Sequence, residues 1–152
     1  MKEPIIKLDV EFSTDRQYVF SRCEFVFGSV SVGDYEQLML AKSLLLALED
    51  LVVRMNNFEP IECAMDDLEN VLSNTIREDI RNSCLPLGVE AFDGDEAVFV
   101  SVYKKSFIII KPWASTTCFT EELSISQYCS MIETSIDELK EKLKMFASIS
   151  TV

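Results

Sequence analysis

From Pro4 to Ser13 apolar and polar residues alternate one for one, with Ile6, Leu8, Val10 and Phe12 set against Lys7, Asp9 and Glu11. That period of two predicts a half-buried antiparallel strand. Thr14-Asp15-Arg16-Gln17 has the polar composition of a turn, and a second strand from about Tyr18 predicts a hairpin, with Cys23-Glu24 as a bulge or a break. The strand pattern continues through Phe25-Val26-Phe27-Gly28-Ser29-Val30-Ser31-Val32 and stops at Gly33-Asp34. Asp34 and Gln37 have the spacing of a capping box, which predicts a helix from about Tyr35 to Met55. One apolar row in it runs through Leu38, Ala41, Leu45, Leu48, Val52 and Met55, and a second through Leu40, Leu44, Ala47 and Leu51. Two adjacent rows make a wide stripe, so this is the expected central helix of the core. Glu36, Lys42, Ser43, Glu49, Asp50 and Arg54 are left to the solvent side.

A second helix is expected from about Ala64 to Ser83, with a narrow stripe at Met65, Leu68, Leu72, Ile76 and Ile80 that suits a peripheral position. Asp93-Gly94 between Val89–Phe92 and Ala97–Tyr103 is a hairpin signal. Val98–Tyr103 and Ser106–Lys111, separated by Lys104-Lys105, predict two neighbouring strands, the second apolar enough for the centre of a sheet. Phe119–Ile125 follows as a last strand. Ser124 and Gln127 again have capping-box spacing, and Tyr128, Ile132, Ile136, Leu139, Leu143 and Phe146 form the stripe of a C-terminal amphipathic helix. The expected class is α+β: a single antiparallel sheet of about five to six strands with helices mainly on one face, in the order ββ-α-α-ββββ-α. At 152 residues, one domain over 1–152 is expected.

Composition narrows the function more than the fold. Lys and Arg number 14 against 26 Asp and Glu, the net charge is −12, and the chain has no histidine. Such a chain lacks the basic footprint that nucleic acid or an anionic membrane requires, so neither is an expected partner. The acids are unevenly placed. Between Asn57 and Tyr103 eleven acids stand against Arg77 and Arg81, so this segment carries nine of the twelve net negative charges. Summed fields of this kind steer a cationic surface into contact, which makes a basic protein the natural partner; the alternative is that the acidity only keeps the protein soluble.

The absence of histidine removes Ser-His-Asp, Cys-His and His-based metal arrangements, and no Gly-rich phosphate loop is present. No catalytic residue, metal site or cofactor is therefore expected. Phe92-Asp93-Gly94-Asp95-Glu96 lacks the spaced ligands of a calcium loop and reads as a turn. Cys23, Cys63, Cys84, Cys118 and Cys129, odd in number and without a C-x-x-C, read as reduced and mostly buried. Met1-Lys2-Glu3-Pro4-Ile5-Ile6 has no signal-peptide pattern, and the run Leu38–Leu48, broken by Lys42-Ser43, is too short to span a bilayer. The expected location is the cytoplasm.

Three stretches carry a family resemblance: the unit FGSVSVGDYEQL, the apolar strand ending in Ile110-Lys111-Pro112-Trp113, and the closing FTEELSISQYCSMIETSIDELKEKL. In the order and flavour of its elements the chain resembles the small immunity proteins of bacterial polymorphic-toxin and contact-dependent growth inhibition systems. The resemblance implies a non-enzymatic cytosolic protein that binds one cognate toxin domain, commonly a basic nuclease, and blocks it. It carries over no binding residues. Charge alone nominates Asp66, Asp67, Glu69, Asp93, Asp95 and Glu96 as partner contacts. Trp113 or Tyr103 would serve as an apolar anchor, although the place of Trp113 favours a core or strand-end residue over an anchor. A monomer or weak homodimer is expected. The alternative, from another class, is a small carboxylate- or metal-dependent hydrolase acting on a small molecule, which needs two convergent acids in a concave pocket.

Overall fold

The computed structural model describes residues 3–150, with side chains up to residue 147. Met1 and Lys2, and Thr151 and Val152, of the expected domain lie outside them. The alternating start of the chain forms β1 (Ile5–Phe12), paired antiparallel with β2 (Val19–Phe27) across the expected turn. Register runs unbroken from Ile5 opposite Val26 to Phe12 opposite Val19, so Cys23-Glu24 is neither a bulge nor a break.

The stretch after β2 departs from its pattern. Phe25–Val32 is not one strand: β2 turns at Gly28-Ser29 and returns as β3 (Val30–Val32), with Phe27 opposite Val30. A two-residue loop of this kind needs positive φ, and Gly28 has φ 62°. The central helix then starts later than its capping signal. Asp34 Oδ1 accepts from the Glu36 N–H, a local turn that competes with helix capping. Met39–Leu40 forms β4 on β2, and the helix α1 occupies Ala41–Asn56. Leu38 and Leu40 therefore precede the helix and are exposed, while Leu44, Leu48, Leu51 and Met55 are buried as their rows require.

Arg54 overturns the expectation of a solvent position. It is buried, its Nε donates to Asp50 Oδ2 at 2.8 Å, and its remaining N–H groups donate to the carbonyls of Arg81, Ser83 and Leu85. A buried guanidinium needs this many acceptors, and here they pin the segment that follows the second helix onto α1.

The expected helix Ala64–Ser83 is shorter: a 3-10 turn at Met65–Asp67 leads into α2 (Leu68–Glu78), and a second 3-10 turn covers Ile80–Asn82. Glu90–Phe92 is also a 3-10 turn and not a strand, so Asp93-Gly94 does not close a hairpin. The hairpin lies one step later, between β6 (Glu96–Val102) and β7 (Lys105–Lys111), with Tyr103 and Lys104 as its loop. β7 pairs with β8 (Phe119–Glu122), and β6 takes a short parallel partner, β5 (Ile61–Glu62). The last helix, α3 (Ile125–Ser150), has the expected capping box. The Gln127 N–H donates to Ser124 Oγ, and the Ser124 N–H to Gln127 Oε1.

The strands do not form the single sheet that was expected. β1-β2-β3, with β4 also on β2, make one sheet; β5-β6-β7-β8 make another. The helices are also not confined to one face. Ala97, Phe99, Ile108 and Ile110 point from the second sheet into the main core with α1, α3 and the first sheet. Val98, Val100, Val102 and Ile109 point the other way, where Leu72 of α2 covers them. Being buried on both faces explains why β6 and β7 read as near-continuous apolar runs. The two sheets meet at Tyr128 of α3. Its ring packs against Phe25 and Phe27 of the first sheet and Phe99 of the second. No helix of the described residues is long and apolar enough to cross a membrane.

Candidate partner-binding surface

The acids nominated by charge fall into two groups around α2. Asp66 and Asp67 lie in the 3-10 turn before the helix and Glu69 in its first turn, all three exposed. Carboxylates here favour the N-terminal end of the helix, whose unpaired N–H groups carry partial positive charge. Asp67 Oδ1 also accepts from Asn70 Nδ2 at 3.1 Å, which leaves its second oxygen open.

Asp93, Asp95 and Glu96 line a cleft of about 500 Å³ with Ile76 and Ile80 from the far end of α2. The two groups approach each other around Cys118. Burial raises the pKa of this thiol first, Glu69 raises it next, Lys111 opposes, and Glu96 adds to the rise. Glu69 and Glu96 therefore both raise the same thiol. Asp67 acts likewise on Cys63, whose thiol is raised mainly by burial.

Not every nominated acid is free. Asp95 is half-buried, and its oxygens accept from the Gly33 N–H at 2.8 Å and the Trp113 N–H at 2.9 Å. Burial raises its pKa, the two backbone hydrogen bonds oppose that, and Asp34 adds a smaller rise. Its work is internal: one carboxylate ties the loop after β3 to the end of β7. Glu96 stands opposite Lys111 across β6 and β7, their charged atoms 4.0 Å apart. Asp93 remains exposed.

Trp113 is the residue whose place the sequence did not decide. It stands just past the end of β7, as a strand-end residue would, but it is 73% exposed. It rests on the acidic turn, since a Cβ on Gly94 would come within 2.9 Å of Trp113 Cβ. Only glycine fits there, and its φ of 84° is also one that other residues adopt at a cost. Ile80, 62% exposed, adds an apolar side chain from α2. Tyr103, at the β6–β7 loop, is 92% exposed.

Comparison with protein-family models, with curated proteins and with solved structures gives no match. Among the described residues no group of three or more His, Cys, Asp or Glu side chains could hold a metal ion. All five cysteines are free thiols.

Proposed function

We propose that this chain is an immunity protein: a non-enzymatic module that binds a cognate, basic toxin domain and neutralises it through the surface formed by α2 and the Asp93 turn. The observation that carries this reading is Trp113, a large aromatic side chain left 73% exposed on an acidic turn. Burying such a ring inside an interface supplies affinity, and surrounding charges supply speed and specificity. Asp66, Asp67, Glu69 and Asp93 are the exposed acids that would face the partner's Lys and Arg. Glu96 sits at their border, and Asp95 holds the turn in shape. A nuclease is the partner chemistry that suits the reading best, because a protein that binds nucleic acid must carry a basic surface of its own.

Copurification from the native host should recover a basic toxin domain, and adding this chain should suppress that domain's activity. Reversing Asp66, Asp67, Glu69 and Asp93 to Lys should slow association about tenfold or more at low salt, with little change in dissociation. Trp113→Ala should act mainly on dissociation. Association at low salt that ignores the reversed charges would remove the site assignment, and a partner that is acidic or absent would remove the function.

A further inference from the structure

We propose that the outer edge of β1 is a homodimer interface, in which β1 of a second copy pairs antiparallel in one register. Within the first sheet β1 is bonded only to β2, and among the described residues no strand occupies its other edge. The ladder shows which backbone groups are left over. The Ser13 N–H bonds the Tyr18 carbonyl. Bonded pairs alternate along an antiparallel ladder, so the odd residues of β1 point at β2 and Ile6, Leu8 and Val10 aim their N–H and C=O groups outward. Eight residues of exposed edge are a template for another strand unless something blocks it.

The side chains favour one pairing over its neighbours, because only the register centred on Leu8 opposes no like charges. Around a two-fold axis perpendicular to the sheet, opposed residues must share a face, so the register can shift only in steps of two. With Leu8 opposite Leu8 of the second copy, Ile6 faces Val10 and Lys7 faces Asp9, twice over. The outward groups of Ile6, Leu8 and Val10 then supply roughly six interstrand hydrogen bonds. One step one way sets Lys7 against Lys7. A step the other way sets Asp9 against Asp9, although Lys7 then meets Glu11 twice. Like charges directly opposite are destabilising in a sheet, unlike charges stabilising.

A second observation fits the same register. Beside the N-terminal half of β1 lies a groove of about 530 Å³, lined by Pro4, Ile6, Leu123 and Met131 among others. Pairing centred on Leu8 brings Val10 and Phe12 of the second copy alongside Ile6 and Pro4, at the mouth of that groove. Ile6, Leu8 and Val10 are only half-buried in one copy, so apolar surface remains for the pairing to cover. The α2 surface packs on the other sheet and stays open to a toxin.

Sedimentation of the full chain across concentrations tests the proposal. The wild type should form dimers below about 100 μM. Lys7→Glu and Asp9→Lys should each weaken the dimer about tenfold or more, because each opposes like charges twice across the interface. Each also faces a like charge within its own hairpin, Glu24 or Arg22, which mixing two variants does not relieve. An equimolar mixture of the two variants should dimerise again, since Glu at position 7 then meets Lys at position 9 and the native Lys7 meets the native Asp9. The amides of Leu8 and Val10 should exchange more slowly with solvent as dimer forms. Circular dichroism of each variant checks that its fold is intact. A wild type that stays monomeric, a dimer indifferent to both substitutions, or a mixture that fails to recover would each overturn the proposal.

Discussion

The hydroxyl of Tyr128 on α3 donates to the main-chain carbonyl of Cys84, in the segment that joins α2 to β6. A side chain that packs on both sheets is therefore also tied to a connection that belongs to neither. Both partners are fully buried, so no water can replace the bond. Tyr128→Phe keeps the ring contacts with Phe25, Phe27 and Phe99 and removes only the hydroxyl. It should cost about 1–2 kcal/mol in urea unfolding, with an unchanged dependence on denaturant.

Arg54 should prove costlier. Arg54→Met retains volume but strands the carbonyls of Arg81, Ser83 and Leu85 and leaves Asp50 without its buried partner. A loss of about 3 kcal/mol is expected by the same measurement. Arg54→Lys should recover little of it, because a compact ammonium cannot reach three carbonyls arranged for a planar fork.

Asp95→Asn tests the clamp between the two sheets. The amide keeps one acceptor oxygen but turns an NH₂ toward a backbone N–H, of Gly33 or of Trp113. Stability should fall by roughly 1–3 kcal/mol, and the fluorescence of Trp113, the only tryptophan, should report a displaced turn.

Alkaline pH should unfold the chain cooperatively. Burial pushes the Cys23 thiol up to about 12 and also raises Cys84 and Tyr128, against ordinary values of 9.0 for the thiols and 10.0 for the phenol. Groups raised in the folded state hold their protons while the unfolded chain gives them up. Their contribution is complete below the unfolded values and is lost as pH climbs from 9.0 toward the folded ones. Each group can remove up to about 1.4 kcal/mol per pH unit within its window. Urea midpoints that stay flat across that window would contradict the buried placement. The same burial predicts that a thiol reagent at mildly alkaline pH modifies Cys63 and Cys118 first, and reaches Cys23 and Cys84 only on unfolding.

The β6–β7 loop offers a gain instead of a loss. Tyr103 and Lys104 have φ of 49° and 65°, a region in which side-chain-bearing residues are strained. Lys104→Gly relieves one of the two and should stabilise the chain by about 0.5–1 kcal/mol.

What could be read before the structure follows from how local each signal is. The alternation in β1, the β6–β7 hairpin and the Ser124–Gln127 box depend on neighbours within a few residues, and all three hold. The Asp34–Gln37 spacing matched a cap equally well, but a carboxylate that bonds an N–H two residues on makes a turn instead. The pairing of strands into two sheets depends on contacts far apart in sequence, and no short pattern carries it. β5 has two residues and is too brief for any periodicity.

Two residues bear on the chemistry, and only Arg54 lies where it was not expected. Arg54 carries a signal in the sequence: it lies three residues from Leu51, on the apolar stripe of α1, where a charge needs buried partners. Trp113 had none, because a residue following Pro112 at the end of an apolar strand is as easily covered as exposed. Of the six nominated acids, Asp66, Asp67, Glu69 and Asp93 remain exposed. Asp95 is committed to the fold, and Glu96 faces Lys111.

The position of Tyr128 also bears on the order in which the chain can fold as it is made. β1 to β4 and α1 leave the ribosome first, within residues 5–56, and the second sheet follows by residue 122. Phe25, Phe27 and Phe99 then wait for a ring that lies in an element made after both sheets. Domains assemble as they are synthesised, and apolar faces left open in the interval invite aggregation. For this chain that interval ends only when α3 arrives, so slow translation of its final helix should lower the yield of folded protein more than slow translation anywhere earlier.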